Sequence, residues 1–186
     1  MMPVTRKILA TLCCLLLFFG SINQLWARSV EKQTVLAVLT LNVARFTTWP
    51  EQIFQKTGAV LNLCVIGNNI VQQSFVSINN KVINNKTIHI INLSRLRNLR
   101  QCQLLYVSDL ERKRLIPLLA ELRGQAILTI GESIEFLQAG GMVGLEKVND
   151  KMQLNINLPI VKQSGLVISS RLLRLANIVD FPYTEH

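Results

Sequence analysis

Residues 104–130 read Leu-Leu-Tyr-Val-Ser-Asp-Leu-Glu-Arg-Lys-Arg-Leu-Ile-Pro-Leu-Leu-Ala-Glu-Leu-Arg-Gly-Gln-Ala-Ile-Leu-Thr-Ile. The stretch opens on Leu104-Leu105-Tyr106-Val107 and closes on Ala126-Ile127-Leu128-Thr129-Ile130, two apolar runs with the length of buried strands. Between them, Ser108 and Glu111 have the spacing of a capping box, in which the hydroxyl accepts from first-turn amides and the carboxylate returns to the Ser108 amide. Leu115, Leu118, Leu119 and Leu122 follow at helical spacing, and Gly124 supplies the stop. Strand, helix and strand in succession predict parallel pairing with the helix lying on the sheet.

The same alternation extends outward. Upstream, Val60 to Ile66 is a strand ending at the turn Gly67-Asn68-Asn69, Ile70 to Ile78 a helix, Asn79 to Lys86 a polar loop, and Thr87 to Ile91 a strand. Ser94 to Arg100 fits one or two helical turns. Before these, Val35, Val38, Leu39, Val43 and Phe46 give the span Val30–Thr48 an amphipathic helical pattern, which Trp49-Pro50 ends. Downstream, Ser133 to Gln138 is a short helix and Gly140-Gly141 a turn. Met142 to Val148 and Met152 to Asn157 alternate around Asn149-Asp150 as a hairpin. A closing helix is expected from about Ser169 to Val179, with Leu172, Leu175, Ala176 and Val179 facing the core and Leu173 left off that stripe. The expectation is one α/β, flavodoxin-like domain over residues 28–186, core about 35–180, with a mainly parallel sheet flanked by helices. There is no internal repeat and no low-complexity tract.

At the amino terminus, Arg6 and Lys7 precede an apolar run from Ile8 to Phe19, then Gly20-Ser21 and Leu25-Trp26-Ala27. This is the layout of a secretory signal peptide over residues 1–27. The run is shorter than the roughly 20 apolar residues of a spanning helix. Cleavage after Ala27 is preferred over retention as an anchor, although Leu25 is bulky for that site. Leu12, standing before Cys13-Cys14, argues against a lipoprotein. Export places the domain in the periplasm of a Gram-negative bacterium.

The chain has 186 residues, a formal charge of +9 and a mean hydropathy of +0.33. Cleavage removes Arg6 and Lys7 and no acidic residue, so the mature domain stays basic. In the cytoplasm such a balance would favour nucleic acid; after export, anionic head groups, peptidoglycan or an acidic protein face fit better, and no nucleic-acid partner is expected. Arg95, Arg97, Arg100, Arg112, Lys113, Arg114 and Arg123 concentrate on two neighbouring helical segments, as a solvated face or a contact for an acidic surface.

Catalytic clusters are missing from the sequence. His89 sits mid-strand, as expected of a half-buried structural residue, and His186 is the last residue. Glu132 and Glu135 flank a helix start, where carboxylates meet the macrodipole favourably. Gly140-Gly-Met-Val-Gly144 leads into a strand, whereas phosphate loops lead into a helix, so it reads as a turn. No GxSxG, HExxH or paired CxxC occurs. No catalytic residue, metal or cofactor is assigned. Outside the signal, Cys64 and Cys102 are the cysteines of the chain, an even number suited to a disulfide in an oxidising compartment, with two buried free thiols as the alternative.

Six segments, in order, carry a resemblance. They are Asn42-Val-Ala-Arg-Phe-Thr-Thr-Trp-Pro50, Leu61-Asn-Leu-Cys-Val-Ile-Gly67, Cys102-Gln-Leu-Leu-Tyr-Val-Ser108, Gly140-Gly-Met-Val-Gly144, Leu154-Asn-Ile-Asn-Leu158 and Ile168-Ser-Ser-Arg-Leu-Leu-Arg-Leu-Ala176. Together, over about Val35 to Val179, the chain resembles the YfiR family of periplasmic proteins, whose best-known member represses a membrane-bound diguanylate cyclase. The motif positions are Arg45, Phe46, Trp49, Pro50, Gly67, Gly140, Gly141 and Gly144. The resemblance implies a non-enzymatic repressor that binds the periplasmic portion of an inner-membrane diguanylate cyclase and lowers cyclic di-GMP and biofilm formation. An outer-membrane or peptidoglycan-associated lipoprotein would compete for it, and a homodimer is among the assemblies it allows. It also implies a disulfide at Cys64 and Cys102. Some members carry a second cysteine pair in the stretch equivalent to Phe136 to Gly144; this chain has none there. Leu173, between Arg171 and Arg174, is the residue nominated for partner contact. Competing readings are a periplasmic small-ligand sensor serving a histidine kinase or transport system, with its site at the carboxyl ends of the strands, and, more weakly, a hydrolase.

Overall fold

The computed structural model describes residues 31–55 and 58–181; the stretch 1–27, read as a signal peptide, and His186 lie outside them. An opening helix α1 (residues 31–45) leads into a two-residue strand β1 (Thr47–Thr48) and a 3-10 turn, Glu51–Phe54. Then follow β2 (Val60–Ile66), α2 (Asn69–Phe75), β3 (Val82–Ile83), β4 (Lys86–Asn92), β5 (Leu104–Val107), α3 (Arg112–Glu121), β6 (Leu128–Gly131) and α4 (Ile134–Gln138). The chain closes with β7 (Val143–Val148), β8 (Lys151–Asn157), α5 (Leu158–Gln163), β9 (Val167–Ile168), α6 (Ser170–Leu173) and β10 (Asn177–Val179).

One sheet runs β10-β8-β7-β6-β5-β2-β4-β3. The parallel pairs β4–β2, β2–β5, β5–β6 and β6–β7 give the flavodoxin-like order, second-first-third-fourth-fifth. The expected α/β fold with a mainly parallel sheet between helices is thus what the chain forms. Side chains alternate across it. Leu61, Leu63 and Val65 of β2, Leu104 and Tyr106 of β5, and Leu128 and Ile130 of β6 enter one core with α1, α2, α5 and α6. Cys64, Ile66, Leu105 and Val107 enter the other, with α3 and α4. All four residues of β5 and all four of β6 are buried, which explains their uninterrupted apolar runs.

The β7–β8 hairpin turns at Asn149 and Asp150, both with positive φ (48° and 60°), as the short side chains of Asn and Asp tolerate. A second, two-stranded pairing joins β1 to β9, antiparallel, and fastens the end of α1 to the carboxyl-terminal part of the chain.

Several local expectations are corrected. The buried side of α1 consists of Gln33, Leu36, Ala37, Thr40, Leu41, Val43 and Ala44, whereas Val35 and Val38 are exposed. Val43 is buried and Leu39 and Phe46 pack on the core as expected; small and polar residues share the rest of the core stripe, so the pattern of large apolar residues misplaced Val35 and Val38. The 79–86 loop contains β3, and Ser94 to Arg100 is irregular apart from the 3-10 turn Leu99–Gln101. Asp109 takes a left-handed φ of 54° and Glu111 is the N-cap of α3 with no side-chain cap bond, so the Ser108 capping box does not form. His89 is exposed rather than half-buried. The closing helix is a single turn, α6, because Asn177–Val179 leaves the helical path to pair in parallel with β8. Its stripe changes with it. Leu172 is buried, Leu173 is half-buried and packs on the core, and Leu175 is 79% exposed.

Candidate functional site

The disulfide is built at the centre of the sheet. Cys64 lies on β2 and Cys102 just before the neighbouring strand β5; their Cα atoms are 5.7 Å apart and they are bonded. Both are buried against α3. A bridge across a sequence separation of 38 removes chain entropy worth about 4 kcal/mol.

The motif residues divide into two structural groups. Trp49 is buried; its indole Nε1 donates to the Gln103 carbonyl at 3.0 Å, and its ring meets Phe54 edge-on, centroids 6.4 Å apart. The Arg45 carbonyl accepts from Asn84 Nδ2 at 2.8 Å, and the Phe46 carbonyl accepts from the Ser169 amide at 2.9 Å. The Pro50 carbonyl accepts from Ile53, opening the 3-10 turn. These residues therefore pin the end of α1 to β5, to the β3–β4 turn and to the carboxyl-terminal segment.

The glycines serve packing. A Cβ on Gly141 or Gly131 would overlap the Phe136 ring, one on Gly144 would stand 3.1 Å from Leu137 Cδ1 and from the Ser133 carbonyl, and one on Gly67 would come within 2.8 Å of Val71. Gly140 supplies the turn, at φ 101°. The Gly140–Gly144 segment thus receives α4, whose N-cap Ser133 accepts from the Phe136 amide. Gly131 belongs to this group and was missed, since an isolated glycine closing a strand carries no motif.

At the carboxyl end of β6 sits Glu132. Its Oε1 accepts from the Tyr106 hydroxyl at 2.9 Å and from Gln33 Nε2 at 3.4 Å, and its Oε2 pairs with Lys32 Nζ at 2.8 Å. Burial works against the charged form, yet the hydrogen bonds from Lys32 and Tyr106 and the Lys32 charge outweigh it, holding the carboxyl below its ordinary range. Burial, and then the Glu132 charge, push the Tyr106 phenol upward. The first turn of α1 is thereby anchored over the strand ends where the small-ligand reading expects its site. Sequence alone had Glu132 only as a carboxylate near a helix start; nothing local pointed to Tyr106, 26 residues away, or to Lys32, 100 residues away.

Several cavities lie elsewhere. One, of about 520 Å³, is bordered by Trp49, Glu51, Phe54, Ile83, Asn84 and Lys86. Another, about 570 Å³, is an apolar groove between α1, the β7–β8 hairpin and α6, bordered by Leu39, Phe46, Met152, Leu154, Leu172 and Leu175. Arg171 of α6 and Arg174, its C-cap, are exposed beside this groove. Among the described residues, no three or more His, Cys, Asp or Glu side chains are grouped to hold a metal, and no helix is long and apolar enough to cross a membrane.

The order of the sheet, the central disulfide and the glycine bed of α4 define a flavodoxin-like α/β domain stapled at its first and third parallel strands. The chain belongs to the YfiR/HmsC-like family, whose sequence profile matches residues 33–177. No individual curated protein matches it.

Proposed function

We propose that the chain is a periplasmic regulatory protein that binds the periplasmic portion of an inner-membrane diguanylate cyclase and holds cyclic di-GMP synthesis, and with it biofilm formation, down. Membership of the YfiR/HmsC-like family over residues 33–177 carries this reading. The Cys64–Cys102 bridge supports it, since such a bond persists in an oxidising compartment. Export by a signal peptide over residues 1–27, leaving the domain 28–186, belongs to the same proposal, as does release by an outer-membrane or peptidoglycan-associated lipoprotein that competes for the binding face.

Repression of this kind needs no catalysis by the regulator. Binding the inactive cyclase fivefold to 150-fold better than the active one shifts the population, a coupling of about 1 to 3 kcal/mol. The contact we assign is the groove between α1, β8 and α6, with Leu175 as its exposed apolar centre and Arg171 and Arg174 as its charged rim. Leu175 takes the place of Leu173, whose side chain is turned to the core.

The test is cyclic di-GMP measured in the native cell. Deletion raises it, and Leu175→Asp raises it with the thermal midpoint of the purified protein unchanged. Unchanged cyclic di-GMP on deletion, together with saturable small-molecule binding by the purified protein in calorimetry, would give the function to a ligand sensor serving a histidine kinase or transport system.

A further inference from the structure

From Gln52 to Ser108 the chain carries no Asp or Glu and six Lys or Arg. Five of the six, Lys81, Lys86, Arg95, Arg97 and Arg100, lie among the described residues, at one side of the molecule: β2, β4 and β3 form one end of the sheet, and residues 93–101 run from the end of β4 back to β5. Lys81, His89, Arg95, Arg97 and Arg100 are all exposed there. Lys86, half-buried, lies 3.7 Å from the centre of the Phe54 ring. The ion pairs Lys32–Glu132, Lys113–Glu111 and Lys147–Asp150 all lie elsewhere. At the opposite end of the sheet the charges are mixed, with Glu146, Lys147, Asp150 and Lys151 on the β7–β8 hairpin.

Two exposed apolar residues share the cationic end. Val82 on β3 is 63% exposed, directly after Lys81, and Val76 following α2 is 50% exposed. Protection of an open sheet edge accounts for lysines on β3 and β4. It does not account for Arg95, Arg97 and Arg100, which lie beyond the strand, nor for the lack of any carboxylate within residues 52–108; Glu51 precedes them, at the cavity beside Lys86.

We propose that this β3–β4 end docks on an anionic phospholipid bilayer, with Lys81, Arg95 and Arg97 against phosphate head groups and Val82 at the head-group boundary. Charge spread along a strand some 20 Å long, with small isolated valines, matches a laterally mobile anionic surface. A protein partner would be centred on aromatic or arginine anchors in a pocket, and Lys81, Val82, Arg95 and Arg97 all lie outside the cavity that Trp49, Phe54 and Lys86 border. The groove assigned to the cyclase lies on α1, β8 and α6, toward the other end of the sheet, so both contacts can be made at once. The inference goes beyond the repressor reading, and either can fail alone, because vesicle binding requires no cyclase.

The experiment is sedimentation of the purified protein with phosphatidylglycerol–phosphatidylcholine vesicles, with phosphatidylcholine vesicles, and with soluble polyglutamate as competitor. The protein is expected to sediment with the anionic vesicles only, and to be released at about 0.5 M salt. Each neutralised cation should cost about fivefold in partition, so Lys81→Gln, Arg95→Gln and Arg97→Gln together lower it about a hundredfold, and Val82→Ser weakens binding further. Lys147→Gln with Lys151→Gln, at the other end, leaves binding intact. Circular dichroism checks that every variant is folded. Failure of the unmodified protein to sediment overturns the proposal, as does equal loss in both sets of variants. Tight polyglutamate binding without vesicle binding would overturn it in favour of an acidic protein.

Discussion

Gly141 faces the Phe136 ring so closely that even a methyl group has no room. Gly141→Ala should therefore destabilise the protein by about 1–3 kcal/mol through overpacking, measured as a lowered urea midpoint, and Phe136→Leu in the same chain should recover part of the loss. At Glu132 the prediction concerns pH. Its folded pKa lies below the ordinary 4.5, so its ion pair and hydrogen bonds contribute stability that is fully present above pH 4.5 and lost as pH falls through the lower folded value. Tyr106 acts in the opposite sense. Its folded pKa is raised above 10.0, so its contribution is full below pH 10.0 and declines as pH rises beyond it. Thermal midpoints across pH should show a shallower acid limb in Glu132→Gln and a shallower alkaline limb in Tyr106→Phe. The cysteines were legible as a pair because the count was even and the strands that hold them neighbour each other; the glycine bed was visible only as a turn, because its receiving ring belongs to a different segment.

Among elements, α6 and β10 separate packing from exposure. Leu173→Asp places a charge against the core and should lower the thermal midpoint, whereas Leu175→Asp should leave it within experimental error. Differential scanning calorimetry of the two variants checks this, and equal losses would show that the segment is helical through Leu175 as its sequence pattern suggests. The spacing of Leu172, Leu175, Ala176 and Val179 does suit a helix, but β8 offers an open edge, and its backbone groups capture Asn177–Val179. Long-range pairing of this kind leaves no local trace. α3, by contrast, was legible in its buried stripe and its end though not in its start, since Leu115, Leu118 and Leu119 face a single core and Gly124 takes the positive φ (71°) that ends the helical turn. α1 lies between these cases. Its existence was plain and its whole buried side was not, because the small residues Ala37, Thr40 and Ala44 are buried alongside larger ones.

At the scale of the molecule, the parallel pairing of the central strands followed from alternation, because short connections and covered faces leave few other ways to pair such strands, whereas β3 and β10 at the two ends of the sheet did not. Nor did the position of the proposed binding face, since it depends on which apolar side chains remain outside after folding. Cys64→Ser or Cys102→Ser should cost about 4 kcal/mol of stability under oxidising conditions and make the unfolding midpoint indifferent to reductant; a midpoint unchanged by either substitution would show that the bridge does not stabilise the protein. The same bond governs how the molecule comes apart. Everything between the two cysteines, including α2, β3, β4 and the cationic segment beyond them, is an excursion whose two ends are covalently closed at the sheet centre. A protease that nicks the exposed arginines at 95, 97 or 100 produces two fragments that stay together: one band on a gel without reductant, two with it. The cationic end can be clipped while the remainder of the domain, groove included, stays in one piece.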